Sequence, residues 1–299
     1  MNIFITGATG YIGGSVAQAL VDAGHQVRGL VRHQEKAERL KQRGIQPVFG
    51  NLDDTKLLTQ QAQQADAVIN AADSDHRGAV EALLNGLYGS DKIFIHTSGS
   101  SVIGDDAQGN ITTQAIFDEN TPFVMEPEKQ HRHAIDQLVL QGAKRGVQSM
   151  VLCNSMIYGT GLGIHADSVQ IPPLVRYAQQ HHEVRIVGQG INRWSNVHIQ
   201  DVVDLYLLVI QQPKAGTLFF VENGEASFAE IAQSIARRLN LGEVQSWTVE
   251  EATAHWGFAH AHYSFGSNSR VRGNNARNLL NWHPKHNSVQ QWIEQDMPL

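Results

Sequence analysis

At 299 residues, with 41% hydrophobic and 17% charged residues, the chain can form one large α/β domain or a domain plus a lobe, and it is too apolar for disorder. A net charge of -6 gives no basic footprint for nucleic acid, and no apolar run approaches the roughly 18 residues of a membrane span. The opening Met1-Asn2-Ile3-Phe4-Ile5-Thr6-Gly7 lacks the basic stretch of a signal peptide, and the single cysteine, Cys153, has no internal partner. Both suggest a cytoplasmic protein.

Ile3-Phe4-Ile5 reads as a buried first strand. Gly7-Ala8-Thr9-Gly10-Tyr11-Ile12-Gly13-Gly14 follows, and then Ile12, Val16, Ala19, Leu20 and Ala23 at helical spacing, with Gly24 at the C-cap. Gly7, Gly10 and Gly13 therefore lie on a strand-to-helix turn. Glycine there lets the backbone approach a pyrophosphate, and the helix N-terminus supplies free N–H groups. Thr9, Tyr11 and Ile12 share that turn and are expected beside the cofactor.

The second strand, Val27–Val31, ends at Arg32. An acid at this point reads the ribose hydroxyl of NAD, whereas an arginine accommodates the 2′-phosphate of NADP. Arg32 thus favours NADP, with NAD as the alternative. A helix over 35–43, a strand over 46–49 and a helix over 55–64 come next, the last capped from Asn51-Leu52-Asp53-Asp54. Asn51 and Leu52 are taken as further cofactor contacts. Ala67–Asn70 is a fourth strand, and the small Ala71 and Ala72 after it let a cofactor lie flat. A helix over 77–88, a strand over 92–96, a helix over 128–145 and a strand over 149–153 complete the series.

Such alternation predicts a doubly wound parallel α/β (Rossmann) sheet with its crevice at the C-terminal strand ends. Thr97-Ser98-Gly99-Ser100 and Asn154–Gly159 fall beside that crevice. Alternation is lost after Gly159. The expected division is a nucleotide-binding domain over 1–160, rejoined by about 195–222, and a substrate lobe over 161–194 and 223–299. Within the lobe, Ile171-Pro172-Pro173-Leu174 opens a helix to about Gln180, Val184–Val187 is a short strand, and Ser227 caps a helix.

These segments resemble the short-chain dehydrogenase/reductase superfamily in its extended, sugar-nucleotide-epimerase-like form. The matching pieces are Thr6–Gly13, Asp66–Ala72, Thr97–Gly104 and Ile157-Tyr158-Gly159, then Val197–Val203 and Asn275–Pro284. Gly188–His198 is closer to an atypical branch of NAD-dependent epimerase/dehydratase-like proteins. The resemblance implies nicotinamide chemistry on a small polar or nucleotide-linked substrate. In this superfamily a Tyr-x-x-x-Lys pair on the helix before the sixth strand transfers the proton and holds the ribose. Here Glu128 aligns with the tyrosine and Arg132 with the lysine, and no tyrosine occurs between Tyr88 and Tyr158.

The proton donor must then come from elsewhere, and the candidates are His131, Tyr158, Glu128 and Ser98. His131 is an imidazole, the side-chain type suited to acid–base work near neutral pH, and Tyr158 follows the sixth strand. Arg132 does not deprotonate and is expected to bind ribose while pairing with Glu128. Ser100, Arg193 and Trp194 are expected to meet substrate, the arginine through an anion. Asp201 reads as an N-cap, and His198 and Cys153 as structural residues. The 15 histidines form no ligand set with cysteine or carboxylate, so no metal is expected. An enzyme is the first reading, and a non-catalytic NADP(H) sensor the second. The resemblance is compatible with a homodimer.

Overall fold

Parallel strands need cover on both faces, and the helices between them supply it. The computed structural model describes residues 1–299. Its first half alternates β1 (Asn2–Thr6), α1 (Tyr11–Asp22), β2 (Gln26–Val31), α2 (Gln34–Gln42), β3 (Gln46–Phe49), α3 (Thr55–Gln64), β4 (Ala67–Asn70), α4 (Arg77–Leu87) and β5 (Ile93–Gly99). After the short β6 (Phe117–Asp118) come α5 (Gln130–Gln141), β7 (Gln148–Asn154) and β8 (Met156–Tyr158). The remainder runs α6 (Ile171–His181), β9 (Arg185–Val187), β10 (Arg193–His198), α7 (Ile199–Gln211), β11 (Thr217–Val221), β12 (Glu225–Ser227), α8 (Phe228–Leu239), β13 (Gln245–Trp247), α9 (Val249–Trp256), β14 (Val271–Arg272) and α10 (Asn274–Leu280).

One seven-stranded sheet has the order β11-β7-β5-β4-β1-β2-β3, and every pair in it is parallel. The order reverses between β1 and β4, where a doubly wound sheet opens its ligand crevice. On one face Ile3 and Ile5 pack with Val16 and Leu20 of α1 and with Val202 and Leu205 of α7. On the other, Phe4, Val68 and Phe94 meet Leu58 of α3, Leu83 of α4 and Ile135 of α5. A separate apolar cluster, with Leu174 of α6, Ile231 of α8 and Trp247 of β13, holds the lobe together. The chain returns to the large sheet through α7 and β11, while β10 pairs with β8 and β12 in a small sheet of its own. No helix is long and apolar enough to cross a membrane.

Two element boundaries differ from expectation and matter for the site. β5 continues to Gly99 instead of stopping near 96. The expected helix over 128–145 is three pieces: a 3-10 turn at Pro127–Lys129, α5, and a second 3-10 turn at Gly142–Arg145 closed by the left-handed Gly146. Pro127 at the turn's start, together with Gly142 and Gly146 at the far end, explains the breaks.

Candidate active site

The glycine turn fits a dinucleotide. Gly7 has φ +75°, and a Cβ on it would lie 2.6 Å from the Ala71 carbonyl carbon. A Cβ on Gly13 would lie 2.7 Å from the Gly7 carbonyl carbon. The N-cap of α1 is Gly10, which offers no side-chain cap, and the first turn carries no acid. Its N–H groups are thus left to an outside anion. Tyr11 Oη donates to the Gly159 carbonyl at 2.8 Å, tying this turn to the end of β8.

From this turn opens a cleft of about 650 Å³. Gly10, Tyr11, Ile12, Ala71 and Ala72 line one end. Ser98, Gly99, Ser100, Glu128, His131 and Arg132 line the other, with Trp194 reaching in from the lobe side. Arg32 is exposed one residue past β2, beyond the cleft's lining. Asn51 and Leu52 also lie outside the lining; Asn51 Oδ1 accepts from the Asp53 amide at 2.7 Å and Leu52 packs on the α3–α4 core. The Asp54 side chain accepts from the Asn51 amide instead of capping α3.

Strand alternation sorts β5 into two sets. Thr97 points to the α7 face, buried, with its hydroxyl 2.6 Å from Tyr206 Oη. It is a structural residue of the far face and not a cofactor contact, because the extra residues of β5 keep the pleat running through it. His96 and Ser98 point to the α5 face. Ser98 Oγ donates to Asp136 Oδ2 at 2.9 Å. Asp136 Oδ1 and His96 Nε2 face each other at 3.7 Å, both buried and without another partner. Thr6 Oγ1 donates to Asn70 Oδ1, so the Asn70 amide nitrogen meets His96 Nδ1 at 3.0 Å. That assigns the His96 proton to Nε2. Burial pushes Asp136 up to about 7 and His96 down to about 4.

Arg132 does not pair with Glu128. Its Nε donates to Asp75 Oδ1 at 2.9 Å, its Nη2 to Asp75 Oδ2, and its Nη1 to Ser101 Oγ at 2.9 Å. The Arg132 hydrogen bond holds the Asp75 carboxyl below its usual range. Glu128 stands exposed on the 3-10 turn, outside the helical register that would have faced it to Arg132. His131 Nε2 meets the Asp75 carbonyl at 2.9 Å. Ser100 Oγ lies 2.8 Å from Ser269 Oγ, a contact with the lobe.

Tyr158 is not in the cleft. Its neighbour Ile157 lines the cleft, so the pleat turns Tyr158 the other way, where its hydroxyl donates to the His286 carbonyl at 3.1 Å and burial pushes its pKa up. It cannot serve as proton donor there. Arg193 is also withdrawn. It pairs with Glu225 at 2.9 Å and Glu230 at 3.2 Å, and Glu225 binds Arg270 as well. Arg193→Ala should therefore cost about 1–3 kcal/mol in denaturant unfolding while leaving cofactor affinity unchanged. A loss of affinity at unchanged stability would contradict this placement.

His198, not Asp201, caps α7, its ring accepting from the Gln200 amide at 3.2 Å. Asp201 instead accepts from the Lys285 and His286 amides at 2.8 and 2.9 Å. Cys153 is buried among Val102, Phe220 and Val271, and burial pushes its thiol up, which removes it as a nucleophile. Among the residues of the cleft and its wall that stood outside the sequence-based set are Asp75, Lys129, Asp136 and Tyr263. Asp136 was recoverable, since positions 132 and 136 share a helical face. Nothing local points to Asp75 or Tyr263.

A doubly wound sheet with an uncapped glycine turn and a lobe over its strand ends defines an NAD(P)-dependent enzyme of the oxidoreductase and epimerase type. The chain belongs to the NAD dependent epimerase/dehydratase family, whose model matches residues 3–219. It is 32% identical over 322 residues to Oxidase ucsJ of Acremonium sp, covering 94% of this chain and 92% of that one. It is 27% identical over 240 residues to a 4-hydroxy-2-methyl-3-oxo-4-farnesyl-3,4-dihydroquinoline-1-oxide ketoreductase of Stigmatella aurantiaca, covering 75% and 69%. Among solved structures, the dTDP-glucose 4,6-dehydratase DesIV of Streptomyces venezuelae, with NAD and TYD bound, has a TM-score of 0.79 at 16% identity, covering 99% and 95%.

Proposed function

We propose that the protein is a cytoplasmic NADP(H)-dependent oxidoreductase or epimerase/dehydratase-like enzyme acting on a carbonyl or hydroxyl group of a small polar or nucleotide-linked substrate. The observation that carries this reading is the uncapped α1 turn opening straight into a cleft lined from both halves of the chain. The name of the quinoline ketoreductase relative supports a carbonyl as the reacting group. In this reading Gly7, Thr9, Gly10, Tyr11 and Ile12 hold the pyrophosphate, and Ala71 and Ala72 form the flat wall beside it. Arg32 reaches the 2′-phosphate, with Asn51 and Leu52 on the adenosine side. Arg132, aimed by Asp75, holds the second ribose. Ser98, Glu128 and His131 border the reacting end, and Ser100 and Trp194 face the substrate. Residues 161–194 and 223–299 act as the substrate lobe. When bound, the nicotinamide supplies reversible hydride transfer.

The test is cofactor titration by fluorescence of the reduced nucleotides, followed by turnover of a panel of ketones, aldehydes and nucleotide sugars. NADPH should bind more tightly than NADH. Arg32→Asp should shift the ratio of the two dissociation constants towards NADH by about 10-fold or more, since it removes a phosphate partner and adds a like charge. Equal affinity for both in the unmutated protein would count against NADP. Tight binding with no turnover of any compound would favour the sensor reading.

A further inference from the structure

The helix that lacks its tyrosine carries a buried cation just before its first turn. Lys129 closes the 3-10 turn at Pro127–Lys129 and is only 8% exposed. Its Nζ has no carboxylate within ion-pair distance and instead lies 3.9 Å from the centroid of the Tyr263 ring. Tyr263 comes from the lobe turn Ala259–Phe265, and both residues line the same cleft as Ser98 and Ser100. A lysine buried without a counter-charge is costly unless its donors are used. An ammonium has three donors, and the ring face uses at most one.

Three of the other polar groups at this end are already committed. Ser98 donates to Asp136, His131 Nε2 meets the Asp75 carbonyl, and Arg132 is forked onto Asp75. Burial first, and then Arg132, pushes the Lys129 amine down to about 8, against the pull of Glu128, Glu126 and Asp75. His131 and His260 are the remaining titratable groups of the surrounding wall, with Tyr263 itself.

We propose that Lys129, seated on the face of Tyr263, is the proton donor to the substrate's carbonyl oxygen in this cleft. This rests on the functional reading above and deepens it. In the reductive direction a C–H bond of the reduced nicotinamide nucleotide would break as it is oxidised, and its hydride would form a C–H bond at the carbonyl carbon, which is reduced. The C=O π pair moves to oxygen, an N–H bond of Lys129 breaks, and an O–H bond forms. A proton taken up from bulk solvent then recharges the neutral amine. Tyr263 is a positioning residue whose ring, not its hydroxyl, matters.

The test uses Lys129→Met, Lys129→Arg, Tyr263→Phe and Tyr263→Leu in the full chain. In the cofactor-free protein, reductive ¹³C-methylation with NMR titration, assigned by the peak missing in Lys129→Met, should give a midpoint near 8, against about 10.4 for an ordinary lysine. Reductive kcat/KM should fall as pH rises through that midpoint, because the acid must be protonated. Lys129→Met and Lys129→Arg should both lower turnover by about 100-fold or more and abolish that limb, with reduced-nucleotide affinity near normal. Tyr263→Phe should keep activity, and Tyr263→Leu should lose it.

A Lys129 titrating above 10, or full turnover in Lys129→Met, overturns the proton role while leaving the functional reading standing. A loss in Tyr263→Phe equal to that in Lys129→Met makes the phenol the donor and overturns the assignment. Failure of the unmutated protein to bind NADPH or NADH overturns the functional reading itself. Binding with no turnover overturns both.

Discussion

Gly13→Ala should weaken reduced-nucleotide binding by about 100-fold and cost about 3 kcal/mol or more in stability, because the added methyl meets backbone and not a movable side chain. The new Cβ would lie 2.7 Å from the Gly7 carbonyl carbon and 3.2 Å from the Ala71 methyl. Gly7 is itself fixed, since its own Cβ position falls against Ala71 and its φ is +75°. Neither the β1 turn nor the end of β4 can retreat without breaking the pairing of Ile3–Thr6 with Ala67–Asn70. The first turn of α1 must therefore move away from β1, and its free N–H groups move with it. Affinity should fall by about 100-fold, since a pyrophosphate reads those donors directly.

Gly24→Ala is the control. It too has a positive φ, +84°, but nothing lies within 4 Å of its Cβ position. Only backbone strain of about 1–2 kcal/mol applies, with no change in nucleotide binding. Denaturant titration and fluorescence binding on the same two variants separate the effects. Normal affinity in Gly13→Ala would remove the glycine turn as the nucleotide site.

The first half of the fold was legible because its signals are local. Buried runs such as Ala67–Asn70, amphipathic helices such as Arg77–Leu87 and glycines at turns each state their own conformation. The parallel sheet followed from their alternation. What failed depended on one residue of register or on distant partners. Three more residues of β5 turned Thr97 to α7, and a 3-10 turn moved Glu128 out of step with Arg132. Arg132 found Asp75, 57 positions away, and Arg193 found Glu225, 32 away. No periodicity encodes such pairs. Lys129 stands one residue past the position that aligns with the lost tyrosine, but its value lies in Tyr263, brought from the lobe by the tertiary fold.

The buried Asp136–His96 pair makes stability depend on pH in a way that one substitution isolates. Burial raises Asp136 from an ordinary carboxyl to about 7, so the folded state holds a proton there that the unfolded chain has lost above about 4. A group raised in the folded state contributes stability that is fully present below its unfolded pKa and is lost as pH rises through its folded value. Asp136 therefore lowers stability between about pH 4 and 7. His96, pushed down to about 4, has the opposite sign over nearly the same window: its contribution is present above about 6.5 and is lost as pH falls.

In the unmutated protein the two slopes oppose each other. Asp136→Asn removes one of them and keeps an acceptor for Ser98 Oγ. The stability of the variant, relative to the unmutated protein, should thus rise by about 2 kcal/mol or more from pH 4 to pH 8. Each pH unit between the unfolded and folded midpoints of Asp136 is worth about 1.4 kcal/mol, and relaxation around the buried pair takes back part of the sum. Asp136→Leu serves as a second variant, since it removes the charge and the acceptor together and should show the same pH dependence on a lower baseline. Denaturant unfolding at one-unit steps of pH measures all three proteins. Parallel curves would mean that Asp136 is ionised at neutral pH in the folded state. Ser98 would then face the cleft backed by a fixed negative charge instead of a neutral acid.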